Sequence, residues 1–79
     1  SLAEAVRWYE RAAEQDQSDA LLALGRIYEK GLRGKADPDS ALRFYRRALQ
    51  AGKAEAGAGV SRLSRRPGAS TVLDVLPPQ

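Results

Sequence analysis

A shift of 36 residues lays one part of this chain over another. Ala5 to Gln15 then falls on Ala41 to Ala51, with alanine over alanine at Ala5 and Ala41 and at Ala12 and Ala48. The same shift sets arginine over arginine at Arg7 and Arg43 and at Arg11 and Arg47, and tyrosine over tyrosine at Tyr9 and Tyr45. Trp8 meets Phe44, so a large aromatic is kept in kind. Further on, Asp19 falls on Glu55, Ala20 on Ala56, Leu24 on Val60 and Arg26 on Arg62. A period in the middle thirties leaves room for two helices per unit. It restricts the fold to stacked helix pairs, in which each unit buries its apolar face against its neighbours.

Local patterning agrees with two helices per period. From Leu2 to Gln15 the apolar residues Leu2, Ala5, Val6, Trp8, Tyr9, Ala12 and Ala13 recur close to helical steps, with charged residues between them. Asp16 to Asp19 supplies short polar side chains for a turn and for helix caps. A second helix is expected over Asp19 to Lys30, with Ala20, Leu21, Leu24, Ile27 and Tyr28 as its stripe. Gly25 within that stripe costs about 1 kcal/mol against alanine, which points to close approach of a neighbouring helix. Gly31 suits the left-handed position that ends a helix. Asp37, Pro38 and Asp39 combine an N-cap, a proline at the first helical position and an acidic first turn, so a third helix is expected from Pro38 to a stop at Gly52. A fourth, weakened by Gly57 and Gly59, is expected over Ala54 to Arg65. All five bulky aromatics, Trp8, Tyr9, Tyr28, Phe44 and Tyr45, read as core or inter-repeat packing.

The residues Ala5-x-x-Trp8-Tyr9-x-x-Ala12-Ala13, Ala20-x-x-x-Leu24-Gly25-x-x-Tyr28-x-x-Gly31 and Asp37-x-x-x-Ala41-x-x-Phe44-Tyr45-x-x-Ala48 resemble the Sel1-like repeat, a relative of the tetratricopeptide repeat. The resemblance covers about residues 3 to 56. It implies an all-α solenoid of antiparallel helix pairs, about four helices with a C-terminal cap or tail. The expected organisation is a helical repeat domain over 1–66, followed by a cap or tail over 67–79. Within the repeat domain, 1–15 would be the second helix of a truncated repeat, 19–52 a complete repeat and 53–66 a degenerate first helix. Asp16 stands where Gly52 stands one copy on, and Val60, Ser61 and Ser64 replace the leucine, glycine and tyrosine of the earlier copy. That decay reads as the end of an array, with Ala69 to Leu76 folding back over it. The chain starts at Ser1 and carries no secretory signal pattern, so it reads as a piece of something longer.

Functionally, the resemblance implies a non-enzymatic scaffold for protein partners, with no cofactor. Such proteins commonly serve bacterial envelope processes, including polysaccharide secretion, and a periplasmic or envelope-associated setting is expected ahead of a cytoplasmic one. The residues themselves offer little for catalysis. There is no histidine and no cysteine, which removes thiolate and imidazole metal sites, disulfides and the commonest general base. Gly31-Leu32-Arg33-Gly34-Lys35 is a basic glycine-bearing loop, but Glu29 and Ala36 stand where a phosphate loop needs glycine and a hydroxyl. Asp37 and Asp39 are accounted for by capping. No calcium-loop spacing occurs, and no apolar run approaches the length of a membrane span.

A binding face follows from the repeat geometry. The first helix of each unit lines the concave side, which places Leu22, Arg26 and Glu29 there, followed one unit on by Ala58, Arg62 and Arg65. Arg26 and Arg62 are expected to stack as a small basic ladder, with Arg7 and Arg11 above Arg43 and Arg47 as a second, outer one. A solvated flank whose stems cover apolar neighbours remains the plain alternative for every one of these arginines. Thirteen basic against ten acidic side chains, a net charge of +3 and a pI near 9.7 favour an acidic partner only mildly. The competing reading is a basic nucleic-acid-binding domain. With every aromatic assigned to packing, it has none left to stack on bases. Apolar faces at both ends of the repeat are expected to favour self-association or docking on further repeats.

Overall fold

A computed structural model describes residues 1–65. Four helices follow one another: α1 (Leu2–Glu14), α2 (Ser18–Lys30), α3 (Pro38–Gln50) and α4 (Ala56–Ser64). There is no strand among the described residues. The packing runs in chain order, α1 on α2, α2 on α3 and α3 on α4. The cap expected over Ala69 to Leu76 lies outside the described residues.

Helix boundaries follow the chemistry of the ends. The Asp37 carboxylate accepts the Ser40 N–H at 3.1 Å, and Pro38 opens α3 where its missing N–H costs nothing. Gly31 closes α2 with φ 67°, and the Leu32 N–H returns to the Ile27 carbonyl. Asp16 takes φ 57° after α1, and Gly52 takes φ 102° after α3. Positions 36 residues apart therefore share the left-handed turn, and at Asp16 a short polar side chain meets the steric cost that glycine avoids. Two expectations are corrected. No side chain caps α2, because Asp16 is spent in the turn and Asp19 pairs with Lys53. Helix α4 starts two residues late, since Ala54 sits in a turn whose carbonyl accepts the Gly57 N–H.

The core is small and centred on α2 and α3. Leu21, Leu24, Ala41, Ala48 and Ala56 are fully enclosed, with Val6 and Ala13 the contribution of α1. Tyr28 and Phe44 stack with centroids 5.5 Å apart and planes 4° from parallel. Tyr45 is 2% exposed and lies between two glycines, as a Cβ at Gly25 or at Gly59 would come within 2.7 Å or 2.5 Å of its ring. The close approach expected at Gly25 is thus to one aromatic side chain, and Gly59 serves the same ring from the far side.

The aromatics of α1 break the pattern. Trp8 is 69% and Tyr9 37% exposed, where the sequence places both in core or inter-repeat packing. The cause is neighbours rather than polarity. Helix α3 is covered by α2 and by α4, whereas α1 packs along its length on α2 and meets α3 at its last turn through Arg47. Ala5, Tyr9 and Ala12 accordingly stay open where their counterparts Ala41, Tyr45 and Ala48 are buried.

Candidate interaction groove

Between α2 and α4, over the edge of Tyr45, lies a groove of about 570 Å³. Leu22, Arg26, Glu29 and Lys30 line it from α2. Across from them stand Ala58, Gly59 and Arg62 of α4, with Glu55 at its start. Small side chains at Ala58 and Gly59 lower that wall and leave room for a main chain to approach. Leu22 is 6% exposed, so it belongs to the core as well as to the groove.

One polar cluster crosses the groove. Arg62 Nε donates to Glu29 Oε2 at 2.6 Å, and its Nη2 donates to Oε1 at 2.7 Å. The Tyr45 hydroxyl donates to the same Oε1 at 2.7 Å. A forked guanidinium on a carboxylate is both directional and strong for an ion pair. It ties α4 to α2 through side chains 33 positions apart. The Arg62 hydrogen bonds hold the Glu29 carboxyl below its ordinary 4.5, against burial that pushes it up, and the Tyr45 hydroxyl assists. Burial first, then the bond to Glu29, push Tyr45 up from 10.0 to about 12.

These shifts give stability a pH signature with two limbs. The Glu29 contribution is complete above about pH 4.5 and is lost as pH falls through the lower folded value. The Tyr45 contribution is complete below pH 10.0 and is lost as pH rises toward 12. Denaturation midpoints measured across pH should therefore flatten on the acid side in Glu29→Gln and on the alkaline side in Tyr45→Phe. Equal slopes in variant and parent would show that the cluster carries no linkage.

Five of the six side chains expected on the concave face, Leu22, Arg26, Glu29, Ala58 and Arg62, line this groove; Arg65 is exposed beyond its lining. The expected stacking of Arg26 with Arg62 is replaced by the Arg62–Glu29 pair, because a carboxylate within reach outcompetes a like charge. Arg26 is exposed and has no hydrogen-bond or ion-pair partner among the described residues. Tyr45 as the floor and Gly59 as part of the wall were not assigned to the site from sequence. The signal was there in the glycine that α4 keeps despite its helical cost.

The outer arginines divide in the same way. Arg47 Nη2 donates to the Ala13 carbonyl at 2.9 Å and to Asp16 Oδ1 at 3.0 Å, so it closes the C-terminal end of α1. Its guanidinium also lies 5.9 Å from the centre of the Phe44 ring. Arg11 sits over Trp8 at the same 5.9 Å, but has no hydrogen-bond or ion-pair partner among the described residues. Trp8 is therefore an accessible aromatic, contrary to the expectation that none is left free. Among the described residues no group of His, Cys, Asp and Glu could hold a metal ion, and no helix is long and apolar enough to cross a membrane.

Comparison with protein families gives a match to the Sel1 repeat over residues 1–17 and 18–53. The second match spans α2, α3 and the turn after them, and the first spans α1. Comparison with curated proteins and with solved structures gives no match.

Proposed function

Since the chain belongs to the Sel1 repeat family, whose repeats generally mediate protein–protein interaction, we propose that it is a non-enzymatic adaptor that receives an extended acidic segment of a protein partner in the groove between α2 and α4. The observation that carries this reading is Arg26. It is the guanidinium that lines the groove without an internal carboxylate, with Lys30 one turn on along the same face. Arg62, in contrast, is already neutralised by Glu29. An arriving carboxylate finds a forked donor at Arg26 and an apolar shelf at Leu22 and Ala58 for the residue beside it. Low walls at Ala58 and Gly59 admit a backbone.

The test is a peptide array probed with the labelled chain. Binding should favour peptides that alternate Asp or Glu with small apolar residues, and Arg26→Glu should weaken it roughly tenfold or more, a change of about 1.4 kcal/mol. Circular dichroism of Arg26→Glu should match the parent, since this exposed side chain bonds to nothing. Binding that prefers basic peptides, or that survives the charge reversal at full strength, would sink the assignment. Reversal at Arg62 is a poorer probe, because a second carboxylate beside Glu29 would open the groove itself.

A further inference from the structure

The charges that line the groove fall into two groups. Glu29 and Arg62 neutralise one another in their forked pair. The side chains of Arg26, Lys30 and Glu55 are exposed and have no hydrogen-bond or ion-pair partner among the described residues. For Glu55 two internal uses are ruled out. It stands in the N-cap place of α4, yet its side chain makes no cap bond. Lys53, the nearest cation along the chain, is spent on Asp19. A carboxylate with neither a helix end nor a cation to satisfy it is left for a charge from outside.

Ion pairs at both ends of the groove set these charges in order. Lys53, just ahead of α4, meets Asp19 near the start of α2, and Arg62 near the end of α4 meets Glu29 near the end of α2. The two helices therefore run in the same direction. Under the 36-residue shift Lys53 falls on Gln17 and Arg62 on Arg26, so each reaches two or three residues beyond its counterpart. Glu55, which falls on Asp19, is by the same displacement level with Leu22, its neighbour in the lining. Arg26 then stands one turn on from Glu55, and Lys30 one turn beyond Arg26. At about 1.5 Å per helical residue each step is about 6 Å, which two residues of extended chain span.

We propose that the groove selects its occupant by the order of charges along it: a basic side chain at Glu55, a carboxylate two residues on at Arg26, and a second carboxylate two further on at Lys30. This rests on the reading of the groove as a seat for an extended acidic segment, and adds that one end of the segment is basic. An all-acidic segment would set a carboxylate against Glu55, a like-charge contact that rejects the wrong occupant. The net charge of +3 acts the other way, since bulk attraction favours the most acidic segment. Order of charge and amount of charge thus lead to opposite outcomes.

The experiment titrates the full chain into labelled peptides with the cores Asp-Ala-Asp-Ala-Asp, Lys-Ala-Asp-Ala-Asp and Asp-Ala-Asp-Ala-Lys. One of the two lysine peptides should bind roughly fivefold more tightly than the all-acidic one, and which of them does so gives the chain direction in the groove. Glu55→Lys should invert that preference and Glu55→Gln should abolish it. Circular dichroism of both variants should match the parent, since the Glu55 side chain bonds to nothing among the described residues. Arg26→Glu should weaken binding of the preferred peptide. An all-acidic peptide that binds the parent as well as or better than both lysine peptides would overturn the charge order and leave the groove a seat for acidic segments. So would a lysine preference that survives Glu55→Gln. Absence of binding by all three peptides, or binding untouched by Arg26→Glu, would overturn the groove reading and the charge order with it.

Discussion

Tyr45→Ala should remove most of the fold's stability at room temperature, and Tyr45→Phe should not. Truncating a large buried aromatic costs about 3–5 kcal/mol through lost transfer energy and the cavity left behind. At Tyr45 the cavity cannot close by a small shift, because its two walls are the backbones of α2 and α4 at Gly25 and Gly59. A domain of this length has a total stability at the low end of roughly 5–15 kcal/mol, so the loss is a large fraction of the whole. Phenylalanine keeps the ring and removes the hydroxyl. Glu29 retains both bonds from Arg62, and the expected loss is only about 1 kcal/mol. Urea titrations followed by circular dichroism measure both. A Tyr45→Ala chain that loses less than about 1 kcal/mol would show that the ring is not the centre of the core.

The glycines of α4 should respond to alanine with opposite signs. Each gains about 0.8–1 kcal/mol of helix propensity on replacement. At Gly57 the new Cβ meets Leu49 Cδ1 at 3.8 Å, an ordinary contact, so Gly57→Ala should stabilise by roughly that propensity gain. At Gly59 the Cβ would fall 2.5 Å from the Tyr45 ring. The ring cannot retreat, because Gly25 already touches its other face. Overpacking of this kind costs about 1–3 kcal/mol and more when the neighbour is held on both sides, so Gly59→Ala should be net destabilising. The propensity gain is common to both, so the two variants should differ by the overpacking cost, about 1–3 kcal/mol in denaturation, for the same chemical change two residues apart. Midpoints that move together would mean that α4 does not lie against Tyr45 as described.

What could be read from the chain in advance was whatever depends on spacing along it. The Asp37 cap, the Pro38 start and the left-handed Gly31 are local, and the structure has all three. Asp16 shows how the register extends such reading, since Gly52 one copy on marks the position as a left-handed turn that aspartate then adopts. Spacing was silent on two matters. Periodicity says which side of α1 is apolar, but not whether a neighbour covers it, so Trp8 and Tyr9 read as packed residues although no helix among the described residues covers them. Nor does it say which charges find each other across helices. Glu29 with Arg62 and Asp16 with Arg47 are pairs separated by more than a full helix, and no local pattern joins a groove glutamate or a turn aspartate to an arginine so far along the chain.

The place of Tyr45 also governs how this molecule comes apart. One side chain closes three helices, because its ring lies against α2 and α4 while its own backbone is in α3. These three should therefore melt together, with no populated state in which α4 has left and α2 remains in place on α3. Helix α1 stands outside that bond. It is held by Val6 and Ala13 on one side and by the grip of Arg47 on its last turn. Its amides should exchange with solvent sooner than those of α2 and α3, in openings that leave the rest intact. The first helix is thus the loosest part of the fold, and anything that came to lie on its open side would draw α1 into the cooperative unit.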